Sequence, residues 1–278
     1  MYAAGEAPEQ PYLAVKNPLS PERAVMRRSL LASVLDVLEK NARLRDRLTL
    51  FEIGPVFLPV DGQTLPVESL RLAIAMTGLR LPHAWDSQAV EQLDFYDLKG
   101  LVEGMLESLH ISPVSYTPGN HPAFHPGKCA QVCTGQTVLG VIGELHPLVK
   151  DRYDFQASPV LAAEIDLQAV FDSVAPRHEI SSVPVFPPVL EDLAVVVAEE
   201  IPAAQVEAAI RKGGGPLLVG ARLFDIYRGE QIGAGNKSLA YSLAYQAPDH
   251  TLTAAESAQV RQKIIRHLEQ SLGARLRA

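Results

Sequence analysis

Residues 223–245 read LFDIYRGEQIGAGNKSLAYSLAY, and their pattern indicates the fold of the C-terminal half of this protein. Apolar and polar residues alternate on both sides of a glycine-rich loop, Gly229–Gly235. Such alternation around a turn predicts two antiparallel strands, which we place at Leu217–Tyr227 and Lys237–Tyr245.

The segments around this hairpin complete a recognisable order of elements. Residues 193–197 alternate as a strand does, and Pro202 and Gly213 are typical of the start and end of a helix. After the hairpin, residues 253–256 read TAAE, a capping box that opens a second helix. The order βαββαβ predicts a ferredoxin-like sheet of four antiparallel strands with both helices on one face. The other face of the sheet is left open.

Side chains of a strand point alternately to the two faces of its sheet. We expect the large apolar sets to lie under the helices, which leaves Asp225, Tyr227 and Ser238 together on the open face, beside the small Ala240 and Ser242. In the first strand we predict Arg222, Phe224 and Ile226 on the helix side and Leu223, Asp225 and Tyr227 on the open side. In the second strand we predict Leu239, Tyr241, Leu243 and Tyr245 on the helix side and Ser238, Ala240 and Ser242 on the open side.

These open-face residues have the chemistry of a base-binding site. A tyrosine ring can stack on an RNA base, worth about 1–3 kcal/mol, and a carboxylate can accept from guanine N1–H and N2–H. Arg228 and Lys237 flank the hairpin and are candidate phosphate contacts. The alternative stays open at this point: tyrosine often packs in strands, aspartate often satisfies a turn, and ferredoxin-like domains also include amino-acid-sensing regulatory domains.

In the first part of the chain, strands that return through hairpins with a few helices between them predict an α+β domain built on an antiparallel sheet. Ser20 and Pro21 are typical of a helix start, and Met26, Leu30, Val34 and Leu38 form an apolar stripe along a helix to about Asn41. Such a stripe is equally expected of a helix that packs against its own core and of one that packs against a partner helix. The other predicted elements are strands at Leu48–Phe57, Leu70–Thr77, Ala130–Thr134, Thr137–Glu144 and Val160–Asp166, and a helix at Leu98–Leu109.

A proline-rich segment separates the two parts. Prolines at 176, 184, 187 and 188 disfavour a helix interior or a central strand. We therefore predict a first domain over 1–175, a linker over 176–188 and a second domain over 189–278.

Composition limits the classes of function. The 278 residues include 25 Lys and Arg and 32 Asp and Glu, a formal charge of −7, but residues 186–278 hold ten of each sign. Binding to nucleic acid is therefore expected to be local and in the second domain. No apolar run is long enough for a membrane span, so no membrane partner is expected. Two cysteines suit a reducing compartment, which predicts the cytoplasm.

No catalytic or metal site is predicted. The chain lacks the G-x-x-x-x-G-K-[ST], G-x-G-x-x-G, H-E-x-x-H and G-x-S-x-G motifs. His121, His125, Cys129 and Cys133 recur every four residues, as a zinc set could, but Pro122 and Pro126 prevent a regular helix there. We favour buried thiols and loop histidines.

Several ordered motifs together resemble the C-terminal part of bacterial phenylalanyl-tRNA synthetase beta chains. They are NPLSPERAVMRRSLL (17–31), LFEIGPVF (50–57), DFYDLKGLVEGML (94–106), HPAFHPGKCA (121–130), IGELHP (142–147), FPPVLEDLAVVV (186–197), LFDIYRG (223–229) and KSLAYSL (237–243).

The resemblance implies that the first domain is a class II synthetase-like module without catalysis. Thr49–Glu52 reads TLFE where a catalytic class II enzyme has F-R-x-E, and no G-x-G-x-G-x-E-R motif occurs. ATP and Mg²⁺ would then bind a separate alpha subunit, with no cofactor in this chain. The helix after Ser20 would correspond to motif 1, and Met26, Leu30, Val34 and Leu38 would form the subunit interface of a heterotetramer.

For the second domain the resemblance implies an anticodon-binding domain for phenylalanine tRNA. Carried over by position, Asp225 would pair with the first anticodon base, a guanine, Tyr227 would stack on it, and Ser238 would line the site. Beta chains of this family carry further domains before the NPLSPE motif, so we expect this chain to be a fragment.

Overall fold

The chain forms two units, residues 1–179 and 180–278, and each has its own sheet. The structure, a computed structural model, describes residues 12–21, 24–86, 91–155, 159–177, 180 and 183–277. The boundary between the units falls within the predicted linker, part of which lies outside the described residues, so the exact domain limits stay a prediction. No helix in these described ranges is both long and apolar enough to cross a membrane.

The N-terminal unit is built on an antiparallel sheet of six strands with helices on both faces. Its elements are α1 (Leu31–Ala42), β1 (Arg47–Leu58), β2 (Val67–Gly78), α2 (Phe95–Ser108), β3 (Val114–Pro118), β4 (Phe124–Thr134), β5 (Thr137–Leu145), α3 (Pro147–Lys150), β6 (Val160–Asp166) and α4 (Leu167–Ser173). The strand order is β1-β2-β6-β5-β4-β3. Alternation along β2 sends Leu72 and Ile74 to the α2 and α4 side and Ala73 and Ala75 to the α1 side. The predicted α+β class, and each strand predicted in this part, are confirmed.

The predicted start of the first helix is wrong. The helix α1 begins at Leu31, and the segment before it is extended: Ala14 bridges Val25, and the Met26 amide donates to the Leu13 carbonyl. Met26 is therefore not on the helix. Residues 22 and 23, within the predicted helix, lie outside the described residues.

Long-range hydrogen bonds explain why this segment does not continue the helix. Arg27 Nε donates to the Pro55 carbonyl at 2.9 Å, and the Phe57 amide donates to the Arg27 carbonyl. The Leu30 amide donates to a Glu164 carboxylate oxygen at 2.7 Å. These bonds to the sheet replace the i→i−4 bonds that a helix would use, so the four-residue spacing of Met26 and Leu30 is not a helical signal.

The C-terminal unit has the predicted ferredoxin-like arrangement. Its elements are β7 (Val189–Ala198), α5 (Ala203–Gly214), β8 (Leu218–Tyr227), β9 (Asn236–Tyr245), α6 (Ala254–Leu272) and β10 (Arg275–Leu276), and the strand order is β10-β7-β9-β8. The helices α5 and α6 pack against one face through Val206, Ile210, Val260 and Ile264. Gly213 permits their close approach, because a Cβ there would lie 2.9 Å from the Cα of Ile264.

Candidate nucleic-acid interface

Strand register places the predicted base-binding residues on the open face of the C-terminal sheet. Directly opposite residues in antiparallel strands share a face. Tyr227 is opposite Ser238, and Asp225 is opposite Ala240. Because Leu239 and Tyr241 alternate with these residues and are buried in the helix-side core, Ser238 and Ala240 face away from the helices. The register thus brings Asp225, Tyr227 and Ser238 together on one side.

A bulge in β8 corrects the predicted sets of that strand. The register shifts between Leu223, which is opposite Tyr241, and Asp225, which is opposite Ala240. Phe224 is the extra residue, so Leu223 and Asp225 lie on opposite faces although period two predicts one face for both. Phe224 is 51% exposed and is not a buried helix-side residue as predicted. The same shift puts Arg222, opposite Ser242, on the open face beside Asp225.

The Tyr227 ring is held by contacts on the open face. The guanidinium carbon of Arg277 lies 4.4 Å from the ring centroid, a cation–π contact. The ring also lies against Gly229, where a Cβ would come within 2.3 Å of the tyrosine hydroxyl oxygen. The glycine of the Tyr-Arg-Gly motif therefore leaves the space that this ring occupies.

Asp225 and Ser238 offer polar groups that the chain itself leaves available. Asp225 is exposed, and its carboxylate has no hydrogen-bond or ion-pair partner among the described residues. Ser238 is only 2% exposed, and its hydroxyl likewise has no partner in the described part of the chain. A carboxylate acceptor next to an aromatic face is the pair of groups that a planar base with N–H donors can use.

The two predicted phosphate contacts are placed differently from expectation. Lys237 is opposite Val197, on the helix side of β9, where it is 8% exposed and its Nζ donates to the Glu199 carbonyl at 2.7 Å. Arg228 donates to both carboxylate oxygens of Glu199 at 2.8–3.1 Å, which lowers the pKa of that carboxyl. The buried Lys237 ammonium is not accessible to a phosphate, and the Arg228 guanidinium is already paired with the Glu199 carboxylate.

Sequence reasoning missed the basic residues that do share the open face. Arg275 is opposite Val196, and the Arg277 amide donates to the Ala194 carbonyl, which places both on the edge strand beside β7. Strict alternation assigns Arg222 to the wrong face, because it does not allow for the extra residue of a bulge. Arg275 and Arg277 follow the last helix closely, in a segment too short to show an alternation, so only the strand pairing places them on the open face.

The apolar stripe of α1 is packed inside the N-terminal unit. Leu30, Val34 and Leu38 are buried in a core with Ala73 and Ala75 of the sheet. These three side chains therefore present no surface to a partner in this structure, contrary to the interface expected of them. Met26, the fourth, precedes the helix and is partly buried.

The histidine and cysteine set does not converge. The Nδ1 atoms of His121 and His125 accept from the amides of Ala123 and Gly127 at 3.2 and 3.0 Å. Cys129 and Cys133 are free and buried in β4. Within the residues that the structure describes, no three His, Cys, Asp or Glu side chains cluster closely enough to hold a metal ion.

Comparison with known families agrees with this geometry in both units. Residues 1–167 match the model of the phenylalanyl tRNA synthetase beta chain CLM domain. The chain belongs to that family. Residues 184–277 match the ferredoxin-fold anticodon binding domain, which confirms the fold of the C-terminal unit.

Curated relatives of the beta-chain family cover nearly the whole chain. Phenylalanine--tRNA ligase beta subunits of Symbiobacterium thermophilum and Moorella thermoacetica are 40% and 44% identical over 98% and 95% of it. Those matches span only 30% and 32% of the relatives, so the chain covers about a third of their length. Among solved structures, a pyrrolysyl tRNA synthetase of Desulfitobacterium hafniense, PylSc, is 14% identical with a TM-score of 0.41, over 56% of this chain and 51% of that one. This similarity is too low to carry an argument.

Proposed function

We propose that the C-terminal unit binds the anticodon of phenylalanine tRNA, and that the chain acts as the non-catalytic part of a phenylalanine-tRNA ligase beta subunit. The observation that supports this most is the juxtaposition of Asp225, Tyr227 and Ser238 on the open face of a sheet that matches an anticodon-binding domain. No observation in the described residues favours an amino-acid-sensing domain instead.

The first anticodon base would lie on the Tyr227 ring with its Watson–Crick edge toward Asp225. A carboxylate accepts from guanine N1–H and N2–H together. Adenine has a ring nitrogen acceptor in place of N1–H, and the lone pair of that nitrogen repels the carboxylate. Ser238 would add a hydroxyl at the floor of the site. In this arrangement Tyr227 supplies affinity and Asp225 supplies the choice of guanine.

Phosphate contacts fall to Arg275 and Arg277 instead of Arg228 and Lys237. Both arginines lie on the edge of the open face, where an RNA backbone can reach them. Contacts of this kind position the strand and carry no sequence information. They also make binding depend on salt concentration, because bound cations are released from the RNA.

Aminoacylation would occur on a catalytic alpha subunit that pairs with this chain in a cytoplasmic heterotetramer. The residues here do not fit an ATP and Mg²⁺ site: in the TLFE segment, Glu52 is already bound by Arg27 and Ser33 at 2.5 and 2.6 Å. ATP and Mg²⁺ are accordingly assigned to the alpha partner. The chain would contribute binding surface to the ligase.

The surface we assign to the alpha partner is the outer face of β1, in place of the α1 stripe. This strand is at the edge of the six-stranded sheet, and its Phe51 and Ile53 are 72% and 54% exposed although their neighbours on β2 are buried under α2. An apolar patch at an open sheet edge is typical of a protein interface. The relatives are named as beta subunits, a name that presupposes a partner subunit.

An NMR titration of the full chain with an RNA anticodon stem-loop reading GAA tests the anticodon role. We expect shifts on the open face of the sheet, centred on residues 222–242 and 275–277, and loss of these shifts with Asp225→Ala and Tyr227→Ala. The control is Glu269→Gln, which removes an exposed carboxylate of α6 on the helix side and should leave the RNA-induced shifts unchanged. Shifts that map to the helix side, or that persist in both variants, would refute the proposal.

A further inference from the structure

A second pair of charged residues lies on the open face, beyond Asp225. Ser242 lies on β9, between β7 and β8. Its partner in the register is Asp192 on the β7 side and Arg222 on the β8 side. Both side chains are exposed, and neither has a hydrogen-bond or ion-pair partner among the described residues. Two opposite charges therefore face each other across one small residue without pairing.

The distance across the sheet keeps this pair apart. Neighbouring strands are about 4.8 Å apart, so Asp192 and Arg222 belong to backbones separated by about 10 Å. The serine between them is too short to fill the gap above the sheet. The row therefore has a carboxylate acceptor on one side, a guanidinium donor on the other and open space between.

The open face is also longer than one base requires. The four steps of β9 from Ser238 through Ala240 to Ser242 span about 14 Å at about 3.4 Å each, and each of these open-face side chains is small. The Tyr227 and Asp225 rows take up one end of this floor. The Arg222 row lies at the other end, where one base on Tyr227 does not reach.

We propose that Asp192, Ser242 and Arg222 form a subsite for a second base of the same RNA strand, next to the base on Tyr227. This inference rests on the proposed anticodon function. Asp192 would accept from an exocyclic amino group, and Arg222 would donate to a ring nitrogen or carbonyl acceptor. Adenine and cytosine carry both features, whereas uracil places a carbonyl oxygen where they carry the amino group. The subsite should therefore prefer an amino-bearing base over uracil.

Fluorescence anisotropy with the full chain and three stem-loops, reading GAA, GUA and AAA, tests the subsite. We expect the wild type to bind GAA about tenfold more tightly than GUA. Asp192→Asn should reduce this ratio to less than threefold, because an amide can pair with a uracil carbonyl. Arg222→Ala should reduce the ratio as well. The preference for GAA over AAA should survive in both variants, and Lys263→Ala, an exposed cation of α6, is the matched control.

The arms of the experiment separate the two ideas. An unchanged ratio of GAA to GUA in Asp192→Asn and Arg222→Ala would overturn the subsite, and so would a uniform loss of affinity for all three loops with Arg222→Ala, which indicates a phosphate contact. If the wild type does not distinguish GAA from AAA, the first-base proposal fails by itself. Absence of binding to all three loops would overturn both.

Discussion

The guanidinium of Arg277 lies 4.4 Å from the centroid of the Tyr227 ring, so the aromatic face assigned to a base is already in contact with a cation in the free chain. An exposed cation–π contact contributes about 0.5–1 kcal/mol, and stacking of a base on an aromatic ring about 1–3 kcal/mol. A base can therefore replace the arginine on the ring, which leaves Arg277 beside the bound strand.

The first prediction concerns Arg277 itself. We expect Arg277→Ala to weaken binding of the GAA stem-loop several-fold and to lower the slope of log affinity against log salt by about one, because a phosphate contact is lost. Affinity measured at four salt concentrations gives both quantities. Lys263→Ala on α6 is the control. An Arg277→Ala variant that binds more tightly would show that the arginine only competes with the base.

The second prediction concerns Gly229. An alanine there would place Cβ 2.3 Å from the Tyr227 hydroxyl oxygen and 2.7 Å from its Cζ, so the ring must move. We expect Gly229→Ala to weaken RNA binding about tenfold while the far-ultraviolet circular dichroism spectrum stays unchanged. Because Cζ remains in Tyr227→Phe, adding that change should restore binding only in part. Full affinity in Gly229→Ala would mean that the ring position does not matter.

Most of this fold could be predicted from the sequence, since strands and helix caps have local signals. The failures have physical causes of two kinds. Residues 24–30 look helical by spacing, but the Arg27 carbonyl accepts from the Phe57 amide and the Leu30 amide donates to Glu164. No local pattern reveals these partners in the sheet. In β8 one extra residue, Phe224, reverses the alternation.

The candidate site was predictable only where its residues lie close together in the sequence. Asp225, Tyr227 and Ser238 lie in two adjacent strands joined by a short loop, so alternation alone was enough to bring them together. Arg277 reaches the same surface from the residue just after β10, at the far end of the chain. The strand β10 has only two residues, too few for an alternation that would show which of the neighbouring side chains lie on the open face.

The third prediction concerns Glu164, which anchors the segment before α1. One of its oxygens accepts from the Ser29 hydroxyl at 2.8 Å and from the Leu30 amide at 2.7 Å. We expect Glu164→Ala to lower the free energy of unfolding by about 1–3 kcal/mol, because a partly buried amide is left without an acceptor. Urea denaturation measures this, and amide exchange of Leu30 should accelerate. Exposed Asp61→Ala is the control, and equal stability of the two variants would contradict the anchoring role.

The fourth prediction concerns pH and His250, at the start of α6. Its ring nitrogens lie 2.8 Å from an Asp249 oxygen and 3.2 Å from a Glu256 oxygen, and these hydrogen bonds raise the pKa of His250. A raised folded-state pKa stabilises the fold below the ordinary value of about 6.5, and this contribution is lost as pH rises through the folded-state pKa. NMR titration of the His250 ring should show the raised pKa, and Asp249→Asn should lower it. A titration of His250 at its ordinary pKa would contradict this.

In the proposed anticodon site Asp225 selects guanine, because its carboxylate accepts from the N1–H and N2–H of that base. The most direct measurement compares affinities for stem-loops that carry guanosine, inosine or adenosine as the first anticodon base, with wild type and Asp225→Asn. Inosine lacks only the N2 amino group, so the wild type should bind guanosine most tightly, inosine less and adenosine least. Asp225→Asn should bind all three within about threefold. A wild type that does not follow this order, or an Asp225→Asn variant that keeps it, would show that Asp225 does not select guanine.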